Sequence, residues 1–356
     1  MTVAPPLSDS HGRVMRDLRV SLTDRCNFRC LYCLPETEEA ANFYRTKFDP
    51  IKNPSPSSLP LTMPWKTKAE MLSFEEIHRL VRIFVELGIR KIRLTGGEPL
   101  LRHGLEKVVQ SISALEGVED LAMTTNGFLF LQKGAALKAA GLRRISFSLD
   151  SLDRANFKKI TGRDGLDQVL GSIRFAKELG LEPVKVNAVV IREVNDHEIE
   201  ALAGFAQEQD ISFRFIEFMP LDSNRSWLKE LVVPGREILK RLQSRYDLQL
   251  VKSDNPSETA KRWRFAGGRG EVGIIAPVTE PFCGHCNRIR LTADGKIRTC
   301  LFSISEHDLR AMLRGGASDA EIASVLRQIV GLKEDRHHIG EEGFVQPERT
   351  MSCIGG

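Results

Sequence analysis

An α/β protein built on parallel strands is what this sequence predicts, and three observations predict it. Strand-like runs alternate with amphipathic helical stretches through the first 225 or so residues. The rhythm then changes, as it does where a second domain begins. Six of the seven cysteines fall into two triplets, one in each part of the chain. Strand–helix alternation implies parallel strands with right-handed crossovers. Six such units curving around a core suggest an incomplete (β/α)6 barrel. A doubly wound open sheet is the competing architecture, and periodicity does not choose between them.

The six strand-like runs are L-R-V-S-L (18–22), K-I-R-L-T (91–95), E-D-L-A-M-T-T (119–125), R-I-S-F-S-L-D (144–150), V-K-V-N-A-V-V-I (184–191) and F-R-F-I-E-F-M (213–219). Amphipathic helical stretches lie around 74–87, 104–115, 131–140, 165–180 and 196–208. In the second part a helix over 234–244 precedes short strands near 248–252, 262–266 and 271–276. Helices over 305–313 and 318–330 follow, and residues 331–356 read as a polar, Gly-containing tail. Residues 35–64 are rich in Pro and Ser, which argues for a mobile loop or a lid.

Composition narrows the function. Hydrophobic residues at 42% and charged ones at 28% are ordinary for a globular chain and exclude a disordered, collagen-like or coiled-coil one. No run of 18 apolar residues exists, so no membrane span is expected. The N-terminal residues lack the apolar core of a secretory signal, which makes the cytoplasm the expected compartment. With 51 basic and 47 acidic side chains the net charge is +4, and no basic stripe is interleaved with aromatics. A polynucleotide groove is therefore not expected, and phosphate recognition should be local, at a few arginines.

The cysteines carry the most information. Cys26, Cys30 and Cys33 form C-x3-C-x2-C, and Cys283, Cys286 and Cys300 form C-x2-C-x13-C. An odd total in a chain with no export signal argues against a disulfide framework. Structural zinc sites are normally closed by four ligands. Each triplet here has no obvious fourth, since His285 is badly placed between Cys283 and Cys286. Three thiolates suit a cubane [4Fe–4S] cluster with one iron left open for a substrate or cofactor. Two such clusters are the reading favoured over a pair of zinc sites, and Cys353 reads as an ordinary tail residue.

Active sites of parallel barrels lie at the C-terminal ends of the strands. The first cysteine loop, Gly96-Gly97-Glu98-Pro99, Asn126-Gly127, Ser148 with Asp150, and Glu217 with Met219 all fall there. Strand parity adds to this, because alternate residues share a face. Arg93 shares one with Thr95, Lys185 with Asn187, and, if 286–291 is extended, Cys286 with Arg288 and Arg290. Two guanidiniums beside an iron–sulfur ligand suit phosphate. Arg214 has the opposite parity to Glu217 and Met219, so all three can line one pocket only if the strand bends or bulges.

With these residues assembled, the sequence is identified as a member of a known family. C-x3-C-x2-C with Tyr32 before the third cysteine resembles the signature of radical S-adenosylmethionine (SAM) enzymes. The runs L-R-V-S-L-T-D-R-C-N-F-R-C-L-Y-C, I-R-L-T-G-G-E-P-L-L-R, L-A-M-T-T-N-G, F-C-G-H-C-N-R-I-R-L-T-A-D-G-K and the terminal I-G-G narrow it to the GTP 3′,8-cyclase family of molybdenum cofactor biosynthesis. The resemblance spans roughly residues 13–356. It implies an N-terminal extension (1–12), a TIM-like partial barrel of the radical SAM type (13–225), a C-terminal [4Fe–4S] domain closing its open side (226–340) and a tail ending in Gly-Gly (341–356).

The resemblance also implies roles. Cys26, Cys30 and Cys33 would hold the cluster whose open iron chelates SAM, with Tyr32, Gly97, Ser148 and Met219 at SAM-contact positions. Cys283, Cys286 and Cys300 would hold a second cluster that meets the guanine ring of GTP. Arg19, Arg93, Thr124, Lys185, Arg288 and Arg290 fall at GTP-contact positions, with Arg214 and Asn187 as neighbours. The implied reaction is abstraction of the C3′ hydrogen of GTP by a 5′-deoxyadenosyl radical, attack on guanine C8 and reduction to 3′,8-cyclo-7,8-dihydro-GTP. Arg19 is expected to assist the last step electrostatically. Gly355 and Gly356 are implied to support catalysis inside the barrel, although termini by themselves usually fray.

The implied partners are a second copy of the chain, an electron donor that the sequence does not identify, and cyclic pyranopterin monophosphate synthase, which takes the product. Two departures stand out: the connection from Cys33 to Met71 is longer than is usual in the family, and Leu34 replaces a common methionine. The alternatives are a radical SAM enzyme that modifies peptides with an auxiliary cluster, and a non-enzymatic module with two zinc sites.

Overall fold

The computed structural model describes residues 5–34, 65–221 and 227–355. The segment 35–64, the junction expected at 225 and the final Gly356 lie outside the described residues.

The first half of the chain runs β1 (Asp17–Ser21), α1 (Phe74–Glu86), β2 (Lys91–Thr95), α2 (Leu105–Ser113), β3 (Asp120–Thr125), α3 (Phe130–Ala139), β4 (Arg144–Ser148), α4 (Arg154–Thr161), α5 (Leu166–Glu178), β5 (Lys185–Val190), α6 (Ile199–Gln209) and β6 (Ser212–Glu217). The six strands lie side by side in chain order, all parallel. That order settles the architecture. A doubly wound sheet reverses direction at a switch point, and this one winds a single way, as a barrel does. Its outermost strands do not pair with each other, so the barrel is open.

The second half contributes α7 (Gly235–Arg245), β7 (Leu248–Val251), β8 (Lys261–Phe265), β9 (Glu271–Ile275), β10 (Arg288–Leu291), β11 (Lys296–Arg298), β12 (His307–Asp308), α8 (Leu309–Arg314), α9 (Asp319–Gly331) and α10 (Met351–Ile354). β9 pairs parallel with β6, and β10 pairs parallel with β1. One twelve-stranded sheet results, with the later strands on both of its flanks.

Three local differences from the sequence reading have physical reasons. α4 was not anticipated, although Asp153 caps it by accepting from the Asn156 N–H at 2.7 Å and Gly162 ends it at φ 70°. The helix expected from 305 begins only at Leu309, because His307 and Asp308 pair with β11 and Asp308 then caps the helix. The chain end is not frayed as far as it is described: Ser352 and Ile354 are buried in a helical turn.

Strand parity explains how the sheet carries a site. Leu18, Val20, Ile92, Leu94, Val186, Ala188 and Val190 point toward the helical layer and are fully or almost fully buried. Each large aliphatic side chain buried in this way is worth about 1.5–3 kcal/mol. Their neighbours in sequence point the other way, and there the side chains are Arg19, Arg93, Lys185 and Asn187. The concave face is thus a charged cavity, unlike the apolar interior of a closed barrel.

Candidate functional site

Two adjoining cavities occupy the concave face. The larger, about 630 Å³, is lined by Arg19, Arg93, Thr124, Lys185, Asn187, Arg214, Met219, Arg288 and Arg290, together with Cys283, Cys286 and Cys300. The smaller, about 150 Å³, is lined by Cys26, Cys30, Cys33, Tyr32, Gly97 and Ser148. Thr124 and Met351 line both. Each cysteine triplet therefore has its own cavity. All six residues expected at GTP share one cavity, and three of the four expected at SAM share the other. Met219 is the exception, on the wall of the larger cavity.

Register concentrates positive charge. Arg19 is paired with Arg93 on β2 and with Arg290 on β10, and neighbouring strands are only about 4.8 Å apart. Like charges directly across a sheet are destabilising, so this row serves something other than stability. Burial pulls the Arg19 guanidinium down to about 10, and Arg93 and Arg288 press in the same direction. Lys185 is pulled to about 7, first by burial and then by Arg214, Arg144 and Arg93. Arg19 Nε, Asn187 Oδ1 and Arg214 Nε are buried with no hydrogen-bond partner among the described residues. A polyanion would answer both the charge and the two unpaired guanidinium donors, while the Asn187 oxygen awaits a donor.

The smaller cavity is built differently. Gly97 is required by the backbone: an added Cβ would stand 2.3 Å from the Arg25 carbonyl oxygen. Its N–H donates to the Thr23 carbonyl at 2.6 Å, which ties the Gly-Gly turn to the strand end before the cysteine loop. Glu98, 1% exposed, accepts from Leu100 N–H at 3.0 Å, the Thr125 hydroxyl at 2.7 Å and Asn126 N–H at 2.7 Å. Asp150 accepts from the Tyr32 hydroxyl at 2.7 Å and from Val189 N–H at 2.8 Å. Burial still pushes Glu98 to about 7 and Asp150 to about 6.

The triplets differ at one thiol: burial raises Cys283 and Cys300 as it raises the first triplet, and Cys286 alone is lowered. Burial pushes Cys26 up to about 11 and Cys33 up to about 12, against the N–H and hydroxyl of Ser352 in the second case. Burial also raises Cys286, but Arg288 and Lys333 outweigh it, and that thiol sits at about 7. Both triplets suit a metal cluster by their donor chemistry. Each offers three thiols to one cavity, and the carboxylates nearest the first are already committed to Tyr32 and to backbone amides. Among the described residues no group of His, Cys, Asp and Glu is gathered as the ligands of a single metal ion.

The tail reaches the wall common to the two cavities through Met351. Arg290 donates to the Gly355 carbonyl. Gly355 has φ 84°, and a Cβ there would meet the Thr95 hydroxyl at 2.5 Å, so glycine is needed for conformation and for space. Arg349 grips Asp294 with two hydrogen bonds of 2.9 and 2.8 Å, fixing the tail from behind.

Sequence reasoning misplaced one residue and missed several. Glu217 lines neither cavity: it is fully buried and accepts from Gly235 N–H at 2.8 Å, Val278 N–H at 2.8 Å and Thr279 N–H at 2.9 Å. It bolts the start of α7 and the loop after β9 to the end of β6. No bulge is needed, because Arg214 and Ile216 share the cavity face and Met219 joins them only after the strand has ended. Arg144, held by Asp120 through two hydrogen bonds, one of 2.7 Å, also lines the larger cavity. Its parity with Ser146 and Ser148 was the available signal.

Comparison with known proteins agrees with this arrangement. Residues 20–206 match the Radical SAM superfamily, and residues 211–339 match Molybdenum Cofactor Synthesis C. A GTP 3′,8-cyclase of Streptomyces coelicolor is 45% identical over 98% of this chain and 96% of its own length. One from Rhodopirellula baltica is 43% identical over 100% of this chain and 94% of its own. Among solved structures, Streptococcus suis SuiB bound to S-adenosylmethionine superposes with a TM-score of 0.57 at 13% identity, covering 90% of this chain and 68% of that one. That similarity speaks to the fold alone. The relatives span the whole chain, both cysteine triplets included, and the chain belongs to the GTP 3′,8-cyclase family of the radical SAM superfamily.

Proposed function

We propose that this chain converts GTP to (8S)-3′,8-cyclo-7,8-dihydroguanosine 5′-triphosphate, the first step of molybdenum cofactor biosynthesis. The observation that carries the reading is the adjacency of a cysteine-lined cavity and a second, arginine-rich one with its own triplet. Membership of the superfamily implies one [4Fe–4S] cluster and SAM, which fit Cys26, Cys30 and Cys33. When bound, they supply one-electron chemistry ending in hydrogen-atom abstraction. A second cluster at Cys283, Cys286 and Cys300 belongs to the same reading.

The chain's own residues bind, orient and exclude water. Tyr32, Gly97 and Ser148 bound the SAM side, with Met219 assigned to it from the wall of the larger cavity, and the Tyr32–Asp150 bond keeps the phenol fixed there. Arg19, Arg93, Lys185, Arg288 and Arg290 neutralise the triphosphate, and Thr124 sits on the wall common to both cavities. Holding the two reactants in fixed geometry replaces a bimolecular encounter by a unimolecular one. Gly355 and Gly356 support catalysis on this reading, and Arg19 aids the closing reduction electrostatically. An Arg19→Ala variant that binds GTP and turns over normally would remove that last role.

The reading keeps a functional division at about 225, with one triplet in each part. The reading extends to a cytoplasmic homodimer that passes its product to cyclic pyranopterin monophosphate synthase, and sedimentation of the two proteins alone and mixed tests both contacts. Among the described residues no helix is long and apolar enough to cross a membrane. The central test is anaerobic: reconstituted protein, SAM and dithionite, with 5′-deoxyadenosine followed with and without GTP. GTP-dependent deoxyadenosine with a cyclised nucleotide supports the proposal. Deoxyadenosine that ignores GTP overturns the substrate.

A further inference from the structure

The second triplet is dispersed. Cys283 and Cys286 lie on the turn leading into β10, and Cys300 follows β11. Two buried cations outside the cavity wall join these segments through backbone carbonyls. Arg13, 8% exposed, donates to the Cys283 carbonyl at 2.9 Å, the Asp335 carbonyl at 2.8 Å and the Glu334 carbonyl at 2.5 Å. Lys333, 3% exposed, donates to the Arg288 carbonyl at 3.2 Å and to the Thr299 carbonyl. The second of these immediately precedes Cys300.

The two cations differ in one respect. Asp9 pairs with Arg13 at 2.5 Å and cancels its charge. Among the described residues no carboxylate pairs with Lys333. A buried ammonium satisfied only by carbonyls is costly unless negative charge lies nearby. The adjacent Glu334 carboxylate is engaged by the Thr299 hydroxyl at 2.7 Å, and both carbonyls that hold the ammonium belong to residues beside the triplet, Arg288 two places after Cys286 and Thr299 one before Cys300. Arg288 and Arg290 also face this triplet, but they line the cavity, where an anionic ligand would neutralise them. Lys333 lies behind it, and its charge persists whatever the cavity holds.

We propose that Lys333 is the fixed counter-charge of the second triplet, a positioning residue that sets the reduction potential of a cluster held there, with Arg13 as a charge-cancelled clasp. The inference rests on the second cluster proposed above. An iron–sulfur core held by three thiolates is net anionic and becomes more so on reduction, so a nearby cation favours the reduced form.

The test is an EPR-monitored redox titration of anaerobically reconstituted full-length protein as wild type, Lys333→Met, Lys333→Arg and Arg13→Lys. The first cluster is told apart by the change that SAM makes to its signal. Iron is counted in each sample, and a wild type with about four irons per chain instead of about eight refutes the second cluster itself. With both clusters present, Lys333→Met should lower the second potential, cutting its reduced fraction at least tenfold at a fixed poise, while Lys333→Arg restores it and Arg13→Lys leaves it in place. If Lys333→Met sheds the second cluster, retention of iron and potential by Lys333→Arg still supports the proposal. An unchanged potential in Lys333→Met overturns it, as does loss of iron from both Lys333 variants.

Discussion

Arg19 and Arg290 stand in register on adjacent parallel strands, both turned to the concave face. They are separated in sequence by most of the chain, and Asp17, two residues before Arg19 on the same face, offsets only part of their like charge. A pair held in this way trades stability for recognition.

The first prediction follows from that pair. Arg19→Met should raise the melting temperature of the ligand-free protein by a few degrees, since it removes a desolvated charge from a cationic row. The same change should weaken GTP binding roughly 10- to 100-fold. Calorimetry of the free protein and equilibrium binding check the two halves, and a fall in both stability and affinity would contradict the trade.

Lys185 gives a pH dependence. Its folded value of about 7 lies below its ordinary 10.5, so the free protein gains stability as pH rises from 7 toward 10.5, where the unfolded chain alone still holds the proton. Triphosphate oxygens favour the ammonium and raise its pKa on binding. GTP affinity should therefore fall as pH rises above 7, approaching tenfold per unit, and stay flat for this group below 7. Titration calorimetry at pH 8 in two buffers of different ionisation heat counts the proton taken up. Lys185→Arg should abolish that uptake.

Glu98→Gln tests the Gly-Gly turn. A carboxylate accepting from three donors is replaced by an amide whose NH2 confronts N–H groups, at a cost of about 2–4 kcal/mol. Iron retention at the first triplet should suffer while the second triplet keeps its share. Equal loss from both would mean general unfolding.

Arg349→Ala should free the tail. Breaking its two bonds to the mostly buried Asp294 costs about 3 kcal/mol, so amide exchange over 351–355 should accelerate at least tenfold with the barrel core unchanged. Exchange read by mass spectrometry decides it, and protection equal to wild type would show that the Arg290–Gly355 contact suffices alone.

Deleting residues 44–64 should leave iron assembly at the first triplet intact. The chain just after that segment is tied to the cysteine loop at two points: Lys66 N–H donates to Asp24 at 2.7 Å, and Arg29 lies over the Trp65 ring at 5.4 Å. Iron counting on the deletion variant tests it directly, and loss of iron would sink the idea.

Much of the site was legible because strand parity and strand ends are written in a sequence. Arg93, Thr95, Lys185 and Asn187 fell on the faces that alternation assigns them. What alternation omits is the point where a strand stops, and so Glu217 was grouped with Met219 although one is a buried bolt and the other lines the cavity. The buried cations were harder still. Arg13 and Lys333 look like any of the 51 basic residues, and only the packing of distant segments takes them out of water. The order of the tail was invisible for the same reason, since its partners Arg290, Asp294 and Thr95 come from other parts of the chain.

The flanking strands have a consequence for how the chain is made. β1 is synthesised early, yet its outer edge waits for β10, about 270 residues later. At 5–20 residues per second that edge stands unpaired for roughly 15–55 s on the ribosome. An exposed strand edge invites pairing with another chain, and charged side chains are what discourage it. Asp17 and Arg19 sit on that very strand. The charges that later line the larger cavity thus begin their service as guards of a nascent edge, and a sequence that exchanged them for apolar residues would meet aggregation before it met a substrate.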